Sequence, residues 1–341
     1  MIRDELIREI REVAEELGEV KIMEVCGGHT NTIMRYGIRD LLPGNVKLIS
    51  GPGCPVCVTS QRDIDCMIEL ARSGERIATY GDMANVPGTR MTLQDARAEG
   101  ADILTVYSID QILDESDRIF FGIGFETTTP MTAHLLRHGV RVFSAHKVIP
   151  PAMRILSDEM KLDGFIDPGH VSAILGSDVW ETLDIGVPQV IAGFQPDQLV
   201  HATLLLLRAI RDGEKGVVND YPEVVPPSGN PVALELMEST LKPADTEWRG
   251  MGVIPDSGLV PRDETLDARL IFADRFRDIE SSENSACRCG EIVKGLIEPR
   301  ECPLFGTVCT PESPQGACMV SETEGACGIA YKYGRSLSET S

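Results

Sequence analysis

Cysteines are the residues of this 341-residue sequence with the clearest chemical potential, and the ten of them are unevenly spread. Four lie before residue 67, none lies between there and residue 286, and six lie between residues 287 and 327. Cysteines kept only as small core residues would not leave such a gap. The chain is too long for a disulfide-stapled secreted scaffold and has no export signal. Clustered cysteines here therefore indicate metal binding or thiol redox chemistry.

Four late cysteines are spaced so that a Gly/Pro-rich chain could wrap them around one metal centre. They are Cys302, Cys309, Cys318 and Cys327. Four thiolates suit a [4Fe–4S] cluster, although the spacing matches neither the compact bacterial ferredoxin run nor the plant-type one. Structural zinc held by four thiolates is the main alternative. Cys287 and Cys289 add a C-x-C pair upstream, which belongs either to a redox chain or to the structural surroundings of the cluster.

A second cysteine motif, GPGCPVC at residues 51–57, directly follows a predicted strand. The C-x-x-C spacing brings the sulfurs of Cys54 and Cys57 within reach of a disulfide, and a following helix N-terminus would stabilise a thiolate. Thr59 or Ser60 supplies the N-cap of that helix. The pair could also be half of a zinc site, but no second C-x-x-C follows. A redox dithiol is the favoured interpretation.

A third motif, CGGHTN at residues 26–31, also follows a predicted strand. Ligand sites of open α/β sheets lie beyond the carboxyl ends of strands, and paired glycines let a ligand approach the backbone. The Cys26 thiolate with the His29 imidazole could ligate iron, and the imidazole could lower the thiol pKa. The alternative is a buried cysteine beside a turn.

Three further strand-end loops carry polar residues. The first, GFETTTP at residues 124–130, either uses Glu126 in a polar site or simply caps a helix. The AHK loop at 145–147 and the DPGH loop at 167–170 are expected to face it across an interdomain cleft. Cys66 falls within a predicted helix and is expected to be a core residue without a chemical role.

The strands that precede these motifs alternate with predicted helices along the chain. The predicted strands are 20–25, 46–50, 76–80, 103–107, 118–123, 140–144, 164–166 and 189–192. The predicted helices are 2–17, 61–72, 92–98, 131–138, 152–160 and 198–211. Such alternation is typical of parallel sheets covered by helices. We expect an α/β fold with two similar parallel-sheet domains, 20–115 and 116–220, and a small cysteine-rich [4Fe–4S]-binding domain formed by 1–19 and 221–341. A single eight-stranded barrel is the alternative.

Composition narrows the classes of partner. The net charge is −21, with 53 acidic and 32 basic residues, and such a field repels nucleic acid and anionic membranes. No apolar run has the length of a membrane span, and the charged N-terminus lacks the apolar region of a signal peptide. We therefore expect a cytoplasmic protein with no nucleic-acid or membrane partner.

Taken together and in order, these segments resemble the HypD family of hydrogenase maturation proteins. The shared motifs are CGGHT, GPGCPVC, GFETTTP, FSAHK with PPAM, GFIDPGHVSAILG, WRGMG with IPDSGL, CRCG, and CPLFGTVCTPESPQGACMVS followed by EGAC. They run from residue 24 to about 333, and GPGCPVC with the C-terminal array is the most specific combination.

The resemblance implies a redox-active scaffold on which the Fe(CN)2CO unit of [NiFe] hydrogenase is assembled. Its iron would be held between Cys26 and a cysteine of a HypC-type partner, with cyanide delivered by a HypE-type donor. Cys54 and Cys57 would relay electrons in the manner of ferredoxin:thioredoxin reductase, and the four late cysteines would hold the cluster. The implied fold is two related α/β domains with a cluster-bearing third domain.

The sequence departs from the family pattern at a few positions and leaves alternatives open. Asn31 stands where the family usually has a second histidine, although an asparagine can still hydrogen-bond a cyanide nitrogen. Asn85 and Gln195 replace a usual arginine and glutamate, and one extra residue separates Cys318 from Cys327. The alternative functions are an iron–sulfur disulfide reductase, in which Cys26 binds no metal, and a zinc-stabilised interaction module.

Overall fold

The helices and strands are those of a computed structural model that describes residues 2–334. The strands are β1 (Val20–Glu24), β2 (Val46–Ser50), β3 (Ile77–Tyr80), β4 (Ile103–Val106), β5 (Ile119–Gly122), β6 (Arg141–Ser144), β7 (Gly164–Pro168), β8 (Gln189–Ala192), β9 (Val217–Asn219), β10 (Leu241–Trp248) and β11 (Gly252–Pro261). The helices are α1 (Asp4–Glu15), α2 (Gly27–Arg35), α3 (Ile38–Leu41), α4 (Pro55–Val58), α5 (Gln61–Arg72), α6 (Gly81–Ala84), α7 (Leu93–Ala98), α8 (Thr129–Arg137), α9 (Ile149–Glu159), α10 (Gly169–Leu175), α11 (Asp178–Leu183), α12 (Pro196–Asp212), α13 (Pro231–Thr240), α14 (Ala268–Ile271), α15 (Cys289–Val293) and α16 (Ala326–Gly334).

Two parallel sheets form the centre of the molecule. The first has the strand order β2-β1-β7-β8-β9 and the second the order β4-β3-β5-β6. Every pairing within them is parallel, and their strands are short apolar runs of the kind found when helices cover both faces. The predicted α/β class with two parallel sheets is confirmed. The eight predicted strands form, but they divide between two open sheets and not a barrel.

The sheets do not follow the predicted division of the chain at residues 115 and 116. The first sheet combines β1 and β2 with β7, β8 and β9, and the second sheet is formed by the chain between them. Helix α1 packs on α12 beside the first sheet, whereas we expected it with the cysteine-rich domain. Parallel strands are joined by long crossovers, so the order of strands along the chain does not determine which strands pair.

Each sheet has its own apolar core, and a third core lies between the sheets and the C-terminal region. Ile22 and Ile166 of the first sheet are fully buried beneath α1 and α12. Phe120 and Val142 of the second sheet are fully buried in a core shared with α8 and α13. The third core includes the buried Trp248 and the cysteine-rich segment, which fixes that segment against both sheets.

The antiparallel hairpin β10–β11 was not predicted, and its tip joins three parts of the fold. The Trp248 ring stacks on Phe125 at a centroid distance of 6.0 Å, and its Nε1–H donates to Ser257 Oγ at 2.8 Å. The Arg249 N–H donates to the Val58 carbonyl at the end of α4, at 2.9 Å. The hairpin tip therefore holds the GFETTTP loop and the C-x-x-C helix in fixed positions.

The cysteine-rich segment is built mainly of turns, as expected for a region folded around several sulfurs. Helix α16 packs on α2, and the 3₁₀ turn Ala317–Met319 packs on α4. Both contacts bring this segment against the helices that follow Cys26 and Cys54. No helix among residues 2–334 is long and apolar enough to cross a membrane.

Candidate functional site

Cys26 lies where β1 ends and is the N-cap residue of α2. The turn expected at CGGHTN is therefore the first turn of a helix. The Cys26 N–H donates to Glu24 Oε2 at 3.0 Å, and the Thr30 hydroxyl donates to Glu24 Oε1. Glu24 is fully buried, and its carboxylate holds the backbone that carries the thiol. Its signal in the sequence is an acidic residue at the end of a strand, two residues before Cys26.

The Cys26 thiol has a high proton affinity in this environment. Burial raises the pKa of Cys26 to about 12, and the carboxylates of Glu24 and Glu324 act in the same direction. The backbone N–H groups of His29 and Gly28 oppose that shift without cancelling it. The expectation that the His29 imidazole lowers the thiol pKa is therefore wrong. A metal ion would have to displace the proton, as in other thiolate sites.

The His29 side chain lies beside the cavity wall and does not line the cavity. It is fully buried, its Nε2 is 3.3 Å from the Ala192 carbonyl, and burial lowers its pKa to about 4. The Phe194 ring separates it from His170, at centroid distances of 4.7 Å and 3.8 Å. A neutral imidazole in this position supports the packing beneath Cys26.

Cys54 and Cys57 form a disulfide at the start of α4, with Cα atoms 5.3 Å apart. The disulfide confirms that the C-x-x-C spacing allows the two sulfurs to bond. The preceding residue, Gly53, lies against Cys26 so closely that a Cβ there would be 2.3 Å from the Cys26 nitrogen. Only glycine allows this approach, so the C-x-x-C loop and the Cys26 turn form one unit. Ser60 is the N-cap of α5, as predicted, and accepts from the Asp63 N–H at 3.2 Å.

A cavity of about 420 Å³ opens beside Cys26, at the carboxyl ends of both sheets. Thr127 and Thr128 of the GFETTTP loop and His170 of the DPGH loop line it, as does Cys26. Asp82 and Glu324 add two carboxylates, and burial together with Asp82 raises the pKa of Glu324. The predicted cleft between strand-end loops therefore exists, with a thiol and acidic side chains in its wall.

Glu126 and the AHK loop lie outside that cavity. Glu126 is fully buried, and its Oε1 accepts from the Ile149 N–H at 3.0 Å, at the start of α9. Its Oε2 has no partner among the described residues, and burial raises its pKa to about 7. His146 lies 2.7 Å from Thr132 Oγ1, and Lys147 Nζ donates to Thr246 Oγ1 at 2.7 Å. Glu126, His146 and Lys147 therefore stabilise the conformations of the GFETTTP and AHK loops.

Six late cysteines, and not four, come together behind the disulfide. The buried ones are Cys289, Cys302, Cys309, Cys318 and Cys327, and Cys287 is half-buried beside them. Cys318 and Cys327 have their Sγ atoms 3.3 Å apart, and Cys318 also contacts the Cys289 side chain. The Gln315 N–H donates to Cys309 Sγ at 3.3 Å. Within residues 2–334 no three His, Cys, Asp or Glu side chains are arranged to hold a single metal ion.

This donor set fits a thiolate-ligated cluster. Sulfurs dominate it, and backbone N–H groups point at one of them, which stabilises thiolates. Cys287 is electrostatically coupled to Cys302 and Cys309. Because Cys318 contacts two other sulfurs, it could not hold an iron of its own without moving away from them. Cys287 is therefore an alternative to Cys318 as the fourth ligand, which the spacing did not suggest.

Two parallel sheets with a cysteine at a strand end, a disulfide beside it and a cysteine-rich region behind define an α/β protein with a thiol-based site. A family model named HypD, described as "Hydrogenase formation hypA family", matches residues 2–334. The chain belongs to this family.

Relatives match over nearly the whole chain. A hydrogenase maturation factor HypD of Azotobacter vinelandii is 43% identical over 358 residues, covering 97% of this chain and 94% of the relative. A putative hydrogenase expression/formation protein of Methanocaldococcus jannaschii is 40% identical over 345 residues, covering 96% of each. The HypD of Cupriavidus necator is 42% identical over 342 residues, covering 92% of this chain and 89% of the relative.

Proposed function

We propose that this member of the HypD family is the redox-active scaffold on which the Fe(CN)2CO unit of [NiFe] hydrogenase is assembled. The observation that carries the proposal is the direct succession of three sulfur sites. Cys26 faces the cavity. The loop that carries the Cys54–Cys57 disulfide packs on the Cys26 backbone through Gly53. The six late cysteines lie on the other side of α4.

The cargo iron is assigned to Cys26. The pKa of Cys26, about 12, keeps its thiol protonated at neutral pH, so the thiol must release its proton when iron binds. Glu24 fixes the backbone of this residue, and the cavity leaves space beside it for diatomic ligands and for a cysteine of a HypC-type partner. Cyanide would enter from a HypE-type donor through the same opening.

Four of the six late cysteines would hold a [4Fe–4S] cluster, which supplies electrons one at a time when bound. The set predicted from the sequence is Cys302, Cys309, Cys318 and Cys327. Reduction of the Cys54–Cys57 disulfide takes up two electrons and two protons and gives two thiols beside Cys26. The predicted role of this dithiol as an electron relay is supported by the packing of α4 on the 3₁₀ turn that contains Cys318.

Infrared spectroscopy of the anaerobic protein, co-purified with its HypC-type partner, tests the proposal. We expect bands of iron-bound CN and CO in the wild type, and their loss in Cys26→Ala with the cluster absorption and the sulfide content unchanged. Cys66→Ala is the matched control, because Cys66 is buried in α5 away from the cavity and its loss should leave the bands intact. A partner-bound wild type that lacks these bands under maturation conditions contradicts the proposal.

Single Cys→Ser variants of the six late cysteines test the cluster ligands. Four variants should lose the cluster absorption and two should keep it, which decides between Cys287 and Cys318. A colourless zinc-loaded wild type would favour the interaction module instead.

The disulfide itself favours a second candidate, an iron–sulfur disulfide reductase. Steady turnover of a disulfide substrate, undiminished in Cys26→Ala, would support that function over assembly.

A further inference from the structure

The guanidinium of Arg249 is buried and only partly paired. Its side chain is 2% exposed, and its Nη1 forms an ion pair with Glu283 Oε1 at 2.7 Å and donates to Gln61 Oε1 at 3.2 Å. Nε and Nη2 have no hydrogen-bond partner among residues 2–334 and no contact with solvent. A buried cation with unpaired donors is costly, so these two groups call for an acceptor that residues 2–334 do not supply.

The two unpaired groups form one edge of the guanidinium, the edge that binds an anion through two parallel hydrogen bonds. Another arginine of this protein uses that edge in the same way. Arg288 donates from Nε and Nη2 to the two carboxylate oxygens of Glu291. By comparison, the missing partner of Arg249 is an anionic group with more than one acceptor atom.

The position of Arg249 identifies where that group lies. Its backbone is fixed by the N–H bond to Val58, and the next residue, Gly250, packs on the backbone of Gly290 at the start of α15. The guanidinium lies within electrostatic range of Cys289, which contacts Cys318. The Arg249 side chain therefore lies between the C-x-x-C helix and the late cysteines.

We propose that the free edge of Arg249 donates hydrogen bonds to the sulfur atoms of an iron–sulfur cluster held by the late cysteines, and so stabilises its reduced state. This inference rests on the proposed function. A buried positive charge favours the more negative oxidation state of a neighbouring group, because little solvent screens it. Glu283, which is 41% exposed, partly offsets that charge. Arg249 would thus set the reduction potential at which the cluster gives up electrons.

The test is a redox titration of the anaerobically purified protein, followed by electron paramagnetic resonance. In Arg249→Gln we expect the ratio of reduced to oxidised cluster, at a fixed potential, to fall about tenfold, which is about 59 mV for a one-electron couple. Glu283→Gln should change the ratio in the opposite direction. The ratio in Arg249→Lys should lie between those of the wild type and Arg249→Gln, because lysine keeps the charge but loses the two parallel donors.

Arg288→Gln is the matched control. Arg288 lies between two of the cysteines, but its side chain is 39% exposed and already paired with Glu291. Solvent screening should limit the change in the ratio to less than about twofold. A change as large as that of Arg249→Gln would mean that any nearby charge acts equally and would overturn the inference.

Iron and sulfide content separate the possible failures. Fully loaded Arg249→Gln and Glu283→Gln proteins with the wild-type potential would overturn this inference alone. A wild type without iron and sulfide would overturn the cluster as well. If Arg249→Gln fails to fold or to load, Arg249→Lys decides, since a fully loaded Arg249→Lys protein with the wild-type potential contradicts the inference. Inorganic phosphate that shifts the wild-type potential but not that of Arg249→Gln would show that a free anion occupies the edge.

Discussion

Single carboxylates and amides determine the properties of this site as much as the sulfurs do. Glu24 and Glu324 lie on either side of the Cys26 turn, and a Cβ on Gly27 would meet Glu324 Cβ at 2.6 Å. Asn31 is not among the residues that line the cavity, and its Nδ2–H donates to the Thr323 carbonyl at 3.1 Å. Asn31 therefore holds the C-terminal segment that places Glu324 beside the thiol.

Glu126 gives a pH-dependent contribution to stability. Burial raises its pKa from 4.5 to about 7, so the folded state binds its proton more tightly than the unfolded state. Stability should therefore fall as the pH rises from about 4.5 to 7 and level off above that. Glu126→Gln cannot ionise, so at pH 8 this variant should be more stable than the wild type by as much as ~3 kcal/mol, whereas at pH 4.5 the two stabilities should differ little. Urea unfolding at several pH values measures the difference.

The control for that experiment is Glu214→Gln, at an exposed position after α12. Its unfolding free energy should follow the wild-type pH dependence. Parallel pH profiles for wild type and Glu126→Gln would contradict the assigned role of this carboxyl.

Asn31→Ala tests the contact between α2 and the segment 321–325. Loss of the bond to Thr323 should cost about 1 kcal/mol and should speed amide hydrogen exchange in that segment. Asn85→Ala is the control, since the bond of the Asn85 side chain to the Gly81 carbonyl, at 3.5 Å, is local to one turn of α6. Equal exchange in the two variants would show that Asn31 does not hold the segment.

At the scale of elements, the short apolar strands were predictable and their partners were not. All eight predicted strands form, since a run such as IFFG has the composition of a buried parallel strand. Helix α2 was missed because paired glycines and polar residues hide its apolar face. The hairpin β10–β11 was missed because Pro243 and its polar neighbours suggest a loop. Arg249, at the tip of that hairpin, could not have been placed near the cysteines.

Two glycines at the hairpin tip allow a matched test of how the hairpin is held. Gly250 and Gly252 both have φ of +76°, but a Cβ on Gly250 would lie 2.5 Å from the Gly290 backbone, whereas Gly252 faces open space. Each Gly→Ala change should cost ~1–2 kcal/mol for the left-handed conformation. Gly250→Ala should cost more and should also speed exchange at α15. Thermal unfolding and hydrogen exchange of both variants measure this, and equal losses would mean that the contact does not matter.

At the scale of the whole molecule, chain order and spatial order differ. Strands β1 and β2 belong to the first sheet, β3 to β6 form the second sheet, and β7, β8 and β9 belong to the first sheet again. The cysteine motifs at 26 and 54 could be predicted to lie at strand ends, because that follows from local order. Their closeness to residues 318–327 depends on which helices pack together, and periodicity along the chain carries no such information.

Two valine-to-alanine variants test this interleaved organisation. Val190 is buried in the core of the first sheet and Val142 in that of the second, and each change should cost ~2–3 kcal/mol. Elements that pack in one core tend to unfold together. Val190→Ala should therefore speed amide hydrogen exchange in β1, β2 and α12 more than in β5 and β6. Val142→Ala should show the reverse, and each variant is the control for the other. If Val190→Ala instead loosened β5 and β6 while β1 and β2 stayed protected, the stability units would follow the chain and not the sheets.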